Sequence, residues 1–203
     1  MLTDFWIPLT IFAVVAAFTP GPNNLMLAAS GMNYGFRRSV PHMIGVTVGF
    51  PVMLLCVIFG VGAIIAGLPI LREAVQALAA GFIVYFAWKI ATAKTDLSAD
   101  GAGRPLTLWQ AALFQWVNPK GWAVAIAVAS LYAPGGVRDW DKALYMALLF
   151  LTVTCACTSC WTSLGTVIEH ALQEPKVRRW INRGMAVALV LTMLPILVKS
   201  LGD

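Results

Sequence analysis

Two short polar stretches interrupt the apolar runs of this chain: Thr19-Pro20-Gly21-Pro22-Asn23-Asn24 and Asn118-Pro119-Lys120. A charged or zwitterionic group can occupy a site away from bulk water only where its charges are compensated. Broken helices supply both poles. A half-helix start presents unpaired N–H groups and partial positive charge, and a half-helix end presents free carbonyls. Pro20 and Pro22 lack an N–H and disrupt the preceding turn, Gly21 permits close approach, and Pro22 suits the first position of a restarting helix. Asn23, Asn24 and Asn118 can each donate and accept, either to a ligand or as caps on the broken ends.

Lys120 lies near the middle of its apolar run, where a cation costs about 2.5–3.5 kcal/mol on insertion scales. It reads as a carboxylate partner, as a titrating group in proton coupling, or as a structural partner for the carbonyls freed at Pro119. None of the nine acids, Asp4, Glu73, Asp96, Asp100, Asp139, Asp141, Glu169, Glu174 and Asp203, lies well inside a run, so a mid-membrane carboxylate relay is absent. His42 and Lys120 remain as intramembrane titrators, with His42, near a helix end, also reading as an interfacial residue. The same absence argues against a substrate whose dominant feature is a strong cation.

These residues need helices to hold them. With 60% hydrophobic and 11% charged residues and a mean hydropathy of +0.80, the chain reads as an all-α polytopic membrane protein. Six spans are expected, at roughly 5–33, 40–66, 71–93, 109–132, 143–168 and 180–201. The last has only Gly184 to Val198 free of charge and leans on Trp180, Arg183 and Lys199 as anchors, so five spans is the alternative. Met1-Leu2-Thr3-Asp4 has no basic character, and the first run reads as a retained helix rather than a secretion signal.

The net charge of +5 follows membrane orientation rather than nucleic-acid binding. Both termini outside leaves nine basic residues in inner segments (Arg37, Arg38, Lys89, Lys94, Arg104, Lys176, Arg178, Arg179, Arg183) against four outer ones (Arg72, Arg138, Lys142, Lys199). The polar stretch from Lys94 to Thr107, rich in Gly, Asp and Ser, divides the spans three and three. An odd number per half forces opposite orientations, the plan of an inverted repeat with interrupted first and fourth helices. The expected divisions are 1–93 for the first three-helix repeat, 94–108 for a cytoplasmic linker and 109–203 for the second repeat, all in one integral membrane domain. Gly45 and Gly49 form a small-residue ridge, as do Gly31 and Gly35; the first pair reads as packing within the bundle, with a homodimer as its other use.

The motif Thr19-Pro20-Gly21-Pro22-Asn23, then Gly35, Arg37-Arg38, Gly45, Gly49, Asn118-Pro119-Lys120 and Ile181-Asn182-Arg183, resembles the LysE/RhtB family of amino-acid exporters over nearly the whole chain. The resemblance implies a six-helix exporter of amino acids or similar small amphiphiles in the bacterial inner membrane, driven by the proton motive force. Its implied partners are a small-molecule amino acid, protons and the lipid bilayer.

Cys155, Cys157 and Cys160 suggest the rival class, since Cys157-Thr158-Ser159-Cys160 has a C-x-x-C spacing suited to thiol exchange or soft-metal binding. That alternative is a membrane thiol-redox carrier or soft-metal exporter. A redox carrier is expected to hold its cysteines beside the helix-breaking prolines, whereas these are distant in sequence and accompany Thr152, Thr154, Thr158 and Ser159. They read as packing residues on a polar helix face that lines the pathway. A non-transporting structural subunit is a third class, against which stands the cost of a buried lysine and two broken helices. No phosphate loop, catalytic triad or zinc motif occurs, so the expectation is no enzyme, no cofactor and no metal site.

Overall fold

Uncharged runs rich in Leu, Val, Ala and Ile satisfy their backbone polar groups in lipid most simply as helices. The computed structural model describes residues 2–60, 64, 67–93, 103–133, 140–171 and 174–192. Its elements are α1 (Leu2–Phe18), α2 (Pro22–Ile58), α3 (Pro69–Ala91), α4 (Leu108–Phe114), a 3-10 turn (Gln115–Val117), α5 (Pro119–Tyr132), α6 (Trp140–Ala171) and α7 (Pro175–Leu191). Among the described residues there is no strand.

Among the described residues, three helical stretches are long and apolar enough to cross a membrane: Pro22–Ile58, Glu73–Ala91 and Trp140–Glu169. The expected first and fourth spans fall short because each is cut, at residues 19–21 and at residues 115–118. Within α2, Gly35 has φ 75° and ψ 168°, a conformation nearly restricted to glycine. The chain thus turns on one residue between helices 22–34 and 36–58, where the sequence reading left a loop. Of the expected sixth span, α7 covers the part to Leu191; residues 193–201 and most of the linker, residues 94–102, lie outside the described residues. Described structure resumes at residue 103 and enters α4 through a capping box, in which Gln110 N–H donates to Thr107 Oγ1 (3.2 Å) and Thr107 N–H donates to Gln110 Oε1 (3.1 Å).

Close helix contacts explain the glycines. A Cβ on Gly31 would sit 2.1 Å from the Thr162 carbonyl oxygen and one on Gly165 2.0 Å from that of Ala28, so 22–34 and α6 meet backbone to backbone. The Gly45–Gly49 ridge packs on α4 inside the bundle, as expected: Cβ atoms there would come 2.3 Å from Leu108 O and 2.8 Å from Ala112 Cα. That surface is therefore occupied and offers no dimer contact.

Two buried apolar clusters flank the breaks. One joins Ile83 and Phe86 of α3, Phe114 of α4 and Leu189 of α7 to Met26 and Val46. The other joins Leu9 and Ala13 of α1, Met53 and Leu54 of α2, Val128 of α5, and Met146 and Phe150 of α6. Outward faces are apolar as well, with Ile7, Ile11 and Val15 on α1 and Ile44, Val48 and Val52 on α2 all exposed. Helices apolar on both faces suit a lipid surround.

Candidate functional site

The helical ladder of α1 ends as Thr19 N–H bonds the Val15 carbonyl (3.0 Å), and the chain restarts at Pro22, the first helical residue of α2. Between them Gly21 is extended (φ −169°, ψ 179°), a conformation any residue adopts. The glycine is needed for space instead: a Cβ there would lie 2.6 Å from Lys120 Cδ.

Opening α1 frees its last carbonyls, and the surrounding side chains converge on them. Asn24 Nδ2 donates to the carbonyls of Ala17 (2.8 Å) and Thr19 (2.9 Å). Lys120 Nζ donates to the same Thr19 carbonyl. Cys157 Sγ lies 3.2 Å from the Ala17 carbonyl oxygen and 3.6 Å from Asn24 Oδ1. Thus Lys120 answers carbonyls freed at the first break, not those at its own Pro119 as the structural reading of the sequence had it.

At the second break the 3-10 turn stops at Asn118, whose Oδ1 accepts from Lys120 N–H (3.2 Å) and caps α5 behind Pro119. Gln115, wholly buried, ties the two breaks together. Asn23 Nδ2 donates to Gln115 Oε1 (2.8 Å), while Gln115 Nε2 donates to Asn23 Oδ1 (3.4 Å) and to the Ala111 carbonyl (2.8 Å). Sequence reasoning passed over this residue as a site member; the signal was a glutamine in an uncharged run one turn before Asn118-Pro119.

A half-open cavity enclosing roughly 510 Å³ of empty space, part of it continuous with the exterior, lies between the breaks. Gly21, Asn23, Asn24, Asn118 and Lys120 line it, with Thr154, Cys157 and Thr158 from α6 and an apolar wall that includes Val46, Phe50 and Phe150. Of the remaining expected residues, Thr19 contributes its carbonyl while its hydroxyl bonds back to Val15. Pro20, Pro22 and Pro119 shape the backbone and are not among the lining residues. The arrangement offers a zwitterion a cation, amide donors and main-chain carbonyls within one partly enclosed space.

The cysteine expectation needs correction. Cys157 is remote from the prolines in sequence, yet the packing of α6 sets its buried thiol beside the first break. Cys155 and Cys160 are exposed, and all four cysteines are free. Among the described residues no three His, Cys, Asp or Glu side chains gather as a metal site would require. Two further residues depart from their sequence reading. Arg178, counted as an inner-loop charge, is buried: its Nη2 donates to the Met32 carbonyl (2.9 Å) and lies 3.9 Å from Glu169 Oε1, joining α7, α6 and the end of helix 22–34. His42, read as interfacial, is 1% exposed.

Apolar helices, two of them cut at a shared polar cavity, define a membrane transporter as the class. The chain matches the LysE type translocator family over residues 14–200 and belongs to that family, which makes it a multi-pass translocator rather than an enzyme. It is 28% identical over 193 residues to the cysteine/O-acetylserine efflux proteins of Escherichia coli strain K12, Escherichia coli O9:H4 strain HS and Shigella flexneri serotype 5b strain 8401, covering 94% of either chain in each pair. No solved structure matches the chain.

Proposed function

We propose that this translocator exports small neutral amino acids and close derivatives from the cytoplasm, with the cavity between the two helix breaks as its substrate site. The observation that carries the reading is Lys120 Nζ held on the Thr19 carbonyl across the two breaks. Substrate binding exchanges that contact: the substrate ammonium takes the Thr19 carbonyl, and Lys120 turns to the substrate carboxylate. Thr19, Pro20, Gly21, Pro22, Asn23 and Asn24 form one side of the site, and Asn118, Pro119 and Lys120 the other. The relatives named for cysteine and O-acetylserine support a small, net-neutral cargo, as does a cavity lining that contains no carboxylate among the described residues.

The finer architecture belongs to the same proposal. Six spans form a 3+3 inverted repeat with divisions at 1–93, 94–108 and 109–203, both termini outside, in the bacterial inner membrane. Pairing of the elements supports it. Helix 36–58 packs on α6, with Thr47 Oγ1 3.2 Å from Thr158 Oγ1 and Phe50 against Phe150, α3 packs on α7, and the two breaks meet, an arrangement compatible with a pseudo-two-fold axis. Proton motive force drives export, with Lys120 as the titrating group.

One observation favours a thiol-redox function: Cys157 lines the cavity. That function needs a second thiol in reach, and the C-x-x-C partner Cys160 is exposed. Loaded vesicles carrying the full chain separate the readings. Efflux of labelled cysteine and O-acetylserine, stimulated by an imposed proton gradient and retained with Cys155, Cys157 and Cys160 replaced together by Ala, is the expected result. Gradient-independent efflux removes the proton coupling, and loss of efflux in the abundant triple variant transfers the assignment to the thiols.

A further inference from the structure

A second, half-open cavity with roughly 350 Å³ of empty space, part of it continuous with the exterior, lies at the other end of helix 22–34, where α2 turns at Gly35. Helix 22–34, the start of helix 36–58, the end of α3 and residues 104–106 bound it. His42 faces it, 1% exposed, and among the described residues neither Nδ1 nor Nε2 has a hydrogen-bond partner. A buried polar group without a partner costs free energy comparable to a lost hydrogen bond, so an imidazole with both nitrogens idle beside a cavity requires an account.

The lining supplies one. Lys89 and Arg104 bring two basic residues, Tyr34 and Ser30 bring hydroxyls, and among the described residues no Asp or Glu lines the space. Lys89 Nζ donates to the Arg104 carbonyl (3.0 Å) and has further N–H groups to offer. Asn33 is committed elsewhere, its amide paired reciprocally with Asn182 at 2.9 Å in each direction. A neutral imidazole has one donor nitrogen and one acceptor nitrogen, a match for the carboxylate and ammonium of one zwitterion. The lining thus places two basic residues and an imidazole around one space.

We infer that this cavity is a second binding site, a vestibule on the cytoplasmic side that takes the carboxylate of a small amino acid through Lys89, Arg104 and His42 before transfer to the helix breaks. Its place in transport rests on the export reading and its proposed orientation; the binding chemistry does not.

The test uses the full chain in lipid nanodiscs, with ¹⁵N-labelled histidine and His170→Gln, leaving His42 as the single histidine signal. Under reducing conditions L-cysteine is titrated against cysteamine, which keeps the ammonium and thiol but lacks the carboxylate, and against inorganic phosphate. The expected result is a saturable His42 shift with L-cysteine that persists in Lys120→Met, weakens about tenfold or more in Lys89→Met or Arg104→Gln, roughly a loss of 1.4 kcal/mol or greater, and recovers in Lys89→Arg. Equal responses to cysteamine or phosphate, or a shift that vanishes in Lys120→Met, overturn the proposal. A silent His42 in protein that exports cysteine overturns the vestibule and leaves the export reading standing. A responsive His42 in protein that exports nothing does the reverse.

Discussion

Gly21 is the residue at which geometry and dihedral angles separate. Its extended backbone accepts alanine, while the added Cβ would meet Lys120 Cδ at 2.6 Å. Gly21→Ala should therefore leave membrane abundance unchanged, displace the flexible lysine stem and lower export about tenfold, a barrier change of roughly 1.4 kcal/mol. Abundance and initial efflux rate measured in the same cells check this; parental efflux would mean that the Lys120 approach is unimportant. Cys157→Ser keeps a small donor beside the Ala17 carbonyl and is expected to retain most of the efflux, with unchanged abundance. Much of this site was legible in sequence because a lysine, prolines and asparagines stand out in an uncharged run. Gln115 was less legible, since glutamine is a milder exception, and Cys157 was invisible, since its partner lies 140 residues away and only helix packing brings them together.

Among the elements, the crossing of helix 22–34 with α6 makes the most specific stability prediction. Gly165→Val would push two backbones apart, the Cβ alone arriving 2.0 Å from the Ala28 carbonyl, and should cost about 3 kcal/mol or more by overpacking. Gly184→Ala meets nothing within 4 Å and is the matched control with near-parental stability. Thermal unfolding in a mild detergent checks both, and equal melting temperatures would refute the close crossing. Gly35→Ala, at φ 75° and ψ 168°, should cost about 1–3 kcal/mol by strain alone. Apolar runs revealed the helices, and the prolines revealed both breaks. A turn between residues 33 and 40 was expected, but its confinement to Gly35 was not legible, because the polar Arg37-Arg38-Ser39 reads as loop and yet starts helix 36–58.

For the whole molecule, composition made the membrane setting legible, and charge asymmetry supplies an expected orientation. The packing of helix 36–58 on α6 and of α3 on α7 was not legible, because it depends on contacts between distant segments. Reporter fusions at either end should report both termini outside; cytoplasmic termini would reverse the direction of every half-helix in the account. The central claim is that Lys120 serves the cargo rather than the fold, and one measurement addresses it directly. Lys120→Met, inserted in proteoliposomes at a level quantified against the parent, should be at least as abundant, because it removes an intramembrane cation costing about 2.5–3.5 kcal/mol. Its efflux of labelled cysteine should fall to background, with Lys120→Arg restoring part of the rate, since a guanidinium keeps the charge without the compact ammonium geometry. An abundant Lys120→Met protein that exports at the parental rate would contradict the account.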